Sequence, residues 1–133
     1  MLDLINQLKK EHAEIKDSLK KIEQMDLYRK EARNELMKVK GLFLQHLKKE
    51  DEEVYPKLKM ASSNDEDLMH MLNYFEDDAK LISKFTSIFF DRHFNKHSSE
   101  GFQMEFRVIC STLLNRIEIE EEIFFPEYDK LFR

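Results

Sequence analysis

Two segments of the chain carry the same pattern of residues that can do chemistry. The first runs from His46 through Glu50 to Pro56, and the second from Arg116 through Glu120 to Pro126, so both prolines of the protein stand at the same offset. In the first segment an imidazole and a carboxylate lie four residues apart, which on a helix stacks them on one face within reach of a single metal ion. In the second the Glu is kept but the His has become Arg, which stays protonated and has no lone pair to offer a cation. The chain therefore carries one metal-ligand pair and one altered pair.

Helices are the elements that must position these residues. Apolar residues at helical spacing, Ile5, Leu8, Ile15, Leu19 and Ile22, make a stripe interrupted only by His12, and predict a first helix over residues 2–25. Asp26 is expected to cap a second helix reaching about residue 60, with Val39, Leu42, Phe43, His46, Glu50 and Val54 inward and Pro56 bending its last turns. Ser63 followed by Glu66 reads as a capping box opening a third helix, whose stripe is Met71, Phe75, Asp78, Ile82, Phe85 and Phe89. A last connection over His93 to Ser99, with Ser98 or Ser99 as cap, leads to a fourth helix that turns Phe106, Ile109, Leu113, Arg116, Glu120 and Phe124 inward.

Composition agrees with this reading. Only two Gly and two Pro among 133 residues leave few turn formers, and 37% charged beside 41% hydrophobic residues suits amphipathic helices. The expected class is all-α, a single domain over 1–133 built as an antiparallel up-down-up-down four-helix bundle. The two halves also match each other. Setting Ile5, Leu8, Leu19 and Ile22 against Met71, Tyr74, Phe85 and Ile88 places His12 opposite Asp78, so the bundle is expected to be an internal two-helix duplication. Its central layer then reads His12, His46 and Glu50 in one half and Asp78, Arg116 and Glu120 in the other.

A first-helix His12 inside an apolar stripe, followed by the His46/Glu50 pair and a Pro six residues after the Glu, resembles the hemerythrin-like HHE cation-binding family over essentially the whole chain. The resemblance implies a four-helix bundle with a non-heme diiron centre. It also implies that His12, His46, Glu50 and Glu120 are metal ligands, whereas Asp78 and Arg116 stand where the family has two further histidines. If Asp78, Glu50 and Glu120 are ionised, Arg116 offsets one negative charge and a divalent cation the other two. One expectation is a single metal, with an Arg116/Asp78 pair replacing the second. The rival keeps two metals, with Asp78 as ligand and Arg116 reaching away. Imidazole and carboxylate donors suit iron, zinc or manganese, and iron itself enters from the resemblance.

The remaining features narrow the function. A net charge of -5 with no basic cluster argues against nucleic acid, and the absence of a long apolar run or signal peptide predicts a soluble, cytoplasmic protein with no membrane association. The lone Cys110 reads as a buried filler, His70 as surface, and His93 with His97 as residues of a helix end or connection. Of the acidic runs, only Glu50 and Glu120 are expected inward. Phe124, Phe125, Tyr128 and Phe132 are expected to pack the end of the bundle, with a dimer contact as the alternative. No nucleophile triad or phosphate-binding loop names a substrate, so a binding role is expected over an enzymatic one. The leading reading is a sensor or handler of oxygen, nitric oxide or iron that binds a metal ion and a small diatomic ligand. The alternative is a metal-free degenerate bundle serving as an interaction or scaffold module.

Overall fold

Breaks in the helical hydrogen-bond ladder, more than the helices themselves, give this fold its character. The structure, a computed structural model, describes residues 2–95 and 101–132. Helices α1 (Leu2–Glu23), α2 (Lys30–Lys49), α4 (Glu66–Phe90) and α5 (Phe102–Ile119) are the four long ones, with short α3 (Tyr55–Ala61) and α6 (Phe125–Phe132) extending α2 and α5. No strand occurs among the described residues, and no helix among them is long and apolar enough to cross a membrane. Helix α1 packs along α2, and α5 packs against both α1 and α4.

The joints between α2 and α3 and between α5 and α6 are π-helical turns, Glu50–Val54 and Glu120–Phe124. Proline accounts for both. Pro56 and Pro126 lack the N–H that the carbonyl four residues earlier would receive, and their rings crowd that carbonyl, so the backbone widens. The N–H of Tyr55 reaches back five residues to Glu50 O, and that of Phe125 to Glu120 O. The expected bend at Pro56 is thus an inserted turn. Its extra residue lets neighbours face inward together: Val54 with Tyr55, and Phe124 with Phe125, are all buried.

The inward stripes predicted for α1 and α5 are observed, and on α2 only Leu42 falls short, being half-buried. On α4 the stripe is displaced. Phe85 is 40% exposed, while Leu68, Leu72, Phe75, Ile82, Thr86 and Phe89 form the buried face. Apolar type misled the reading at Phe85, and the inward Thr86 was hidden by its hydroxyl. The assumed equivalence of the halves shifts accordingly. Tyr74, Phe85 and Ile88 are exposed where Leu8, Leu19 and Ile22 are buried, and matching buried faces pairs Leu8, Ile15, Leu19 and Ile22 with Phe75, Ile82, Thr86 and Phe89. In that register His12 lies opposite Ala79.

Helix starts also differ from expectation. Asp26 accepts from the Tyr28 N–H in a turn, and α2 begins later, after Arg29. Asp65, not Ser63, caps α4 by accepting from Leu68 N–H at 3.1 Å. The start of α5 follows Gly101, whose φ of +75° is left-handed and suits glycine; Ser98 and Ser99 lie outside the described residues.

The core is two apolar clusters separated by a polar layer. One gathers Ile15, Leu19, Ile22, Val39, Phe43, Ile109 and Leu113 with their neighbours, and the other Ile5, Leu8, Val54, Leu58, Phe75, Phe124 and Tyr128. On each helix the predicted site residues lie between these two sets, so the packing that stabilises the bundle also encloses His12, His46, Glu50, Arg116 and Glu120.

Candidate metal centre

Four helices converge on the polar layer. His12 Nε2 lies 2.8 Å from Glu120 Oε1 and 3.1 Å from His46 Nε2, and His46 Nε2 lies 3.1 Å from the same Glu120 oxygen. All three side chains are at most 1% exposed. Glu50 joins at the edge, its Oε2 3.4 Å from His46 Nε2.

The outer ring nitrogens explain why the inner ones face one another. His12 Nδ1 donates to Glu121 Oε2 at 2.7 Å, and His46 Nδ1 to Glu11 Oε1 at 2.9 Å. A carboxylate only accepts, so each Nδ1 carries a proton, and in the neutral ring Nε2 is the nitrogen whose lone pair faces inward. Carboxylates behind metal-binding histidines act in this way, fixing tautomer and ring orientation. Phe125, turned inward by the π-turn, stacks on the His12 ring at 5.3 Å. Glu11 is held in turn by Lys49 Nζ at 2.5 Å.

Glu11 and Glu121 escape a reading based on stripes, because each stands one position off the inward line. Glu121, expected at the surface, is a correction: it is one-third exposed and reaches in to His12. The only sequence signal is adjacency, since each carboxylate neighbours a site residue.

The second half presents donors where the first presents lone pairs. Arg116 is 2% exposed and points into the core. Its Nη1 donates to Asp78 Oδ2 and to the Phe75 carbonyl, both at 3.0 Å. Its Nη2 donates to the Tyr55 hydroxyl at 2.9 Å and lies 3.2 Å from Glu120 Oε2 and 3.5 Å from Glu50 Oε1. The guanidinium carbon sits 4.9 Å from the centre of the Phe75 ring. Tyr55 is a further site residue that sequence reasoning did not single out, brought inward by the same π-turn that follows Glu50.

Electrostatics divides the two central carboxylates. Burial, then the charge of Glu120, pushes Glu50 up to about 8. Burial acts on Glu120 in the same direction, but hydrogen bonds with Glu50, His12 and His46 and the charge of Arg116 outweigh it and hold Glu120 well below the ordinary range. His46 is pushed up to about 11 in this cation-free layer: burial opposes its charge, and hydrogen bonding to Glu11, Glu120 and Glu50 prevails. A cation at this place must therefore displace a proton from His46.

The donor set fits a cation. Two ligand atoms that each stand about 2.0–2.1 Å from one ion are roughly 2.8–3.4 Å apart in octahedral or tetrahedral arrangement, and the three inward atoms of His12, His46 and Glu120 are separated by 2.8 to 3.1 Å. Glu50 Oε2 and Glu120 Oε2 are buried without a hydrogen bond, facing only the ion-pair contacts of His46 at 3.4 Å and Arg116 at 3.2 Å, and ligation would satisfy them more fully.

Other predicted residues lie apart from this layer. His70 is exposed and Cys110 buried, its thiol pushed up to about 12 by burial and then by the charge of Glu23. His93 lies at a helix end, one of the two places expected for it, but is fully buried there in a third π-turn, Asp91–Asn95, with Nε2 2.5 Å from Glu105 and its ring against Phe89 and Phe102. The helix continues past the point where a connection was expected. His97 lies outside the described residues. At the chain end Phe124, Phe125 and Tyr128 are buried as expected, whereas Phe132 is 38% exposed.

An all-helical protein with two buried, carboxylate-backed imidazoles and a shared Glu120 has the features of a cation-binding helical protein. The chain belongs to the hemerythrin family: the profile of the hemerythrin HHE cation-binding domain matches residues 3–128. No curated protein and no solved structure gives a significant match.

Proposed function

We propose that the protein is a one-domain, cytoplasmic hemerythrin-like module that holds one non-heme metal ion, iron in the first instance and zinc or manganese by the same donors. His12, His46 and Glu120 are its ligands, with Glu50 as the fourth side chain in reach. Arg116, fastened to Asp78, stands in the place of a second ion. The observation that carries this reading is the inward convergence of two Nε2 atoms whose Nδ1 protons are already committed to Glu121 and Glu11. Three lone-pair donors buried together repel unless a cation or a proton lies among them.

Bound there, iron supplies an open coordination position for a small diatomic ligand. The chain's own residues do the rest. Glu11 and Glu121 orient the imidazoles, the two apolar clusters exclude water, and Arg116 offsets the charge of Glu50 and Glu120. A lone ion disfavours reversible oxygen carriage by the family's two-iron route, so sensing of oxygen or nitric oxide, or handling of iron, is the function proposed. The same reading takes the bundle as an antiparallel up-down duplication. The paired π-turns at Glu50 and Glu120 and the matched burial of α2 and α5 support it.

One observation favours a second reading, the metal-free interaction module. Arg116 reaches Asp78, Glu50 and Glu120 together within 3.5 Å, so the layer can be neutralised without an ion. Metal stoichiometry separates the two. Anaerobic loading with Fe(II) should give one equivalent per chain. Two tightly held ions in the unaltered protein overturn the one-ion reading, and none under Fe(II), Zn(II) or Mn(II) selects the interaction module.

A further inference from the structure

Exposed apolar side chains are shared unequally between the two halves. Among the described residues α1 presents no large one and α2 only Met37, whereas α4 carries Met69, Tyr74, Leu81, Phe85 and Ile88, and α5 adds Met104 and Val108. Tyr74, Leu81, Phe85 and Ile88 follow one another at intervals of seven, four and three, which places them on a single stripe about 120° around the helix from its buried face. The stripe is about 21 Å long at 1.5 Å per residue. Leu81 at its middle is 67% exposed. An exposed apolar stripe of this kind, broken only at Asp77 and Asp78, on a helix whose counterpart, α1, is polar outside marks a surface made to be covered.

Charge supplies the occupant. Asp77 and Lys84 flank Leu81, four residues before it and three after, along the same edge of the stripe; both are exposed, and neither forms an ion pair with another described residue. A two-fold axis lying between two copies beside Leu81, perpendicular to the helix, lays the second copy antiparallel to the first and brings each residue opposite one at a similar distance on the other side. Asp77 then faces Lys84 of the partner subunit, and the pair recurs on the other side of the axis. Tyr74 meets Ile88 of the partner subunit, and Leu81 meets its own copy. The stripe is thus self-complementary in both charge and apolar character, which is what an isologous interface requires.

We propose that the outer face of α4 is a homodimer interface, with a second copy of this chain as its occupant and Leu81 on the two-fold axis. The inference is independent of metal content. Sedimentation equilibrium on the full chain over a wide concentration range tests it. The wild type should be a dimer and L81D a monomer with unchanged far-UV circular dichroism. D77K and K84D should each weaken the dimer about tenfold or more by setting like charges opposite one another, and D77K/K84D should recover most of the loss. Mild oxidation should cross-link L81C to itself, and wild type, whose Cys110 is buried, should stay uncross-linked. A wild type that is monomeric throughout overturns the proposal. A dimer that is indifferent to L81D and leaves L81C uncross-linked overturns it too, by placing the contact elsewhere.

Discussion

The two helix pairs of this protein differ in what they do with the same positions. Along α2 and α5 most buried residues correspond, Leu36 with Phe106, Val39 with Ile109, Phe43 with Leu113, Glu50 with Glu120, Val54 with Phe124, Tyr55 with Phe125 and Leu58 with Tyr128, while Cys110 and Ile117 are buried opposite the half-buried Lys40 and Leu47. His46 and Arg116 correspond too, both buried, yet one ends in a lone pair and the other in five N–H donors. The first half leaves donor atoms open to a cation, and the second fills the equivalent space with a cation of its own. The lesson is that two helix pairs can share much of their packing while one turns imidazoles and the other a guanidinium into the same buried layer.

The sharpest way to break this comparison is to empty each half in turn. H12A/H46A should abolish Fe(II) and Zn(II) binding while helical content persists, because the apolar clusters on either side of the layer are untouched. R116M should keep the imidazole ligands, yet cost the metal-free protein about 3–5 kcal/mol by leaving Glu120 and Asp78 without their buried counter-charge. Thermal melting and metal titration on both variants check the contrast. Undiminished stoichiometry in H12A/H46A would remove the ligand assignment.

A smaller effect probes the carboxylates behind the rings. E11Q and E121Q should each lower metal affinity about 10–100-fold without moving the metal-free melting point by more than a few degrees, since they loosen the tautomer and orientation of His46 and His12 respectively. Competition titration against a chelator of known affinity measures this. Unchanged affinity in both variants would make these contacts surface pairs of no consequence to the site.

The gentlest test is pH. In metal-free protein His46 is raised from its ordinary 6.5 to about 11 and Glu50 from 4.5 to about 8. A group raised on folding stabilises fully below its ordinary value and loses that contribution as pH climbs through its folded value. Both losses overlap between about 6.5 and 8, so the metal-free melting point should fall across that interval. Cation binding displaces the proton from His46, so the metal-loaded protein should hold or gain stability over the same range. Parallel calorimetric profiles for the two forms would contradict the coupling.

Much of this could be read from residue order alone. Helical period, scarce turn formers and the repeated Glu and Pro spacing sufficed for the helical class, the inward faces of α1, α2 and α5, and the inward placement of His12, His46, Glu50, Arg116 and Glu120, since these depend on a local periodicity that each helix carries by itself. What depended on contacts between helices was not legible. The register of α4 was decided by which face its neighbours could cover, so that Thr86 turned in and Phe85 out. The two π-turns before Pro56 and Pro126 follow from the missing N–H and the bulky ring of each proline, and they brought Tyr55 and Phe125 against the site. The roles of Glu11 and Glu121 arose only where α1 meets α2 and where α1 meets the turn after α5, because a hydrogen bond between distant segments is a property of their packing and leaves no periodic trace in either segment.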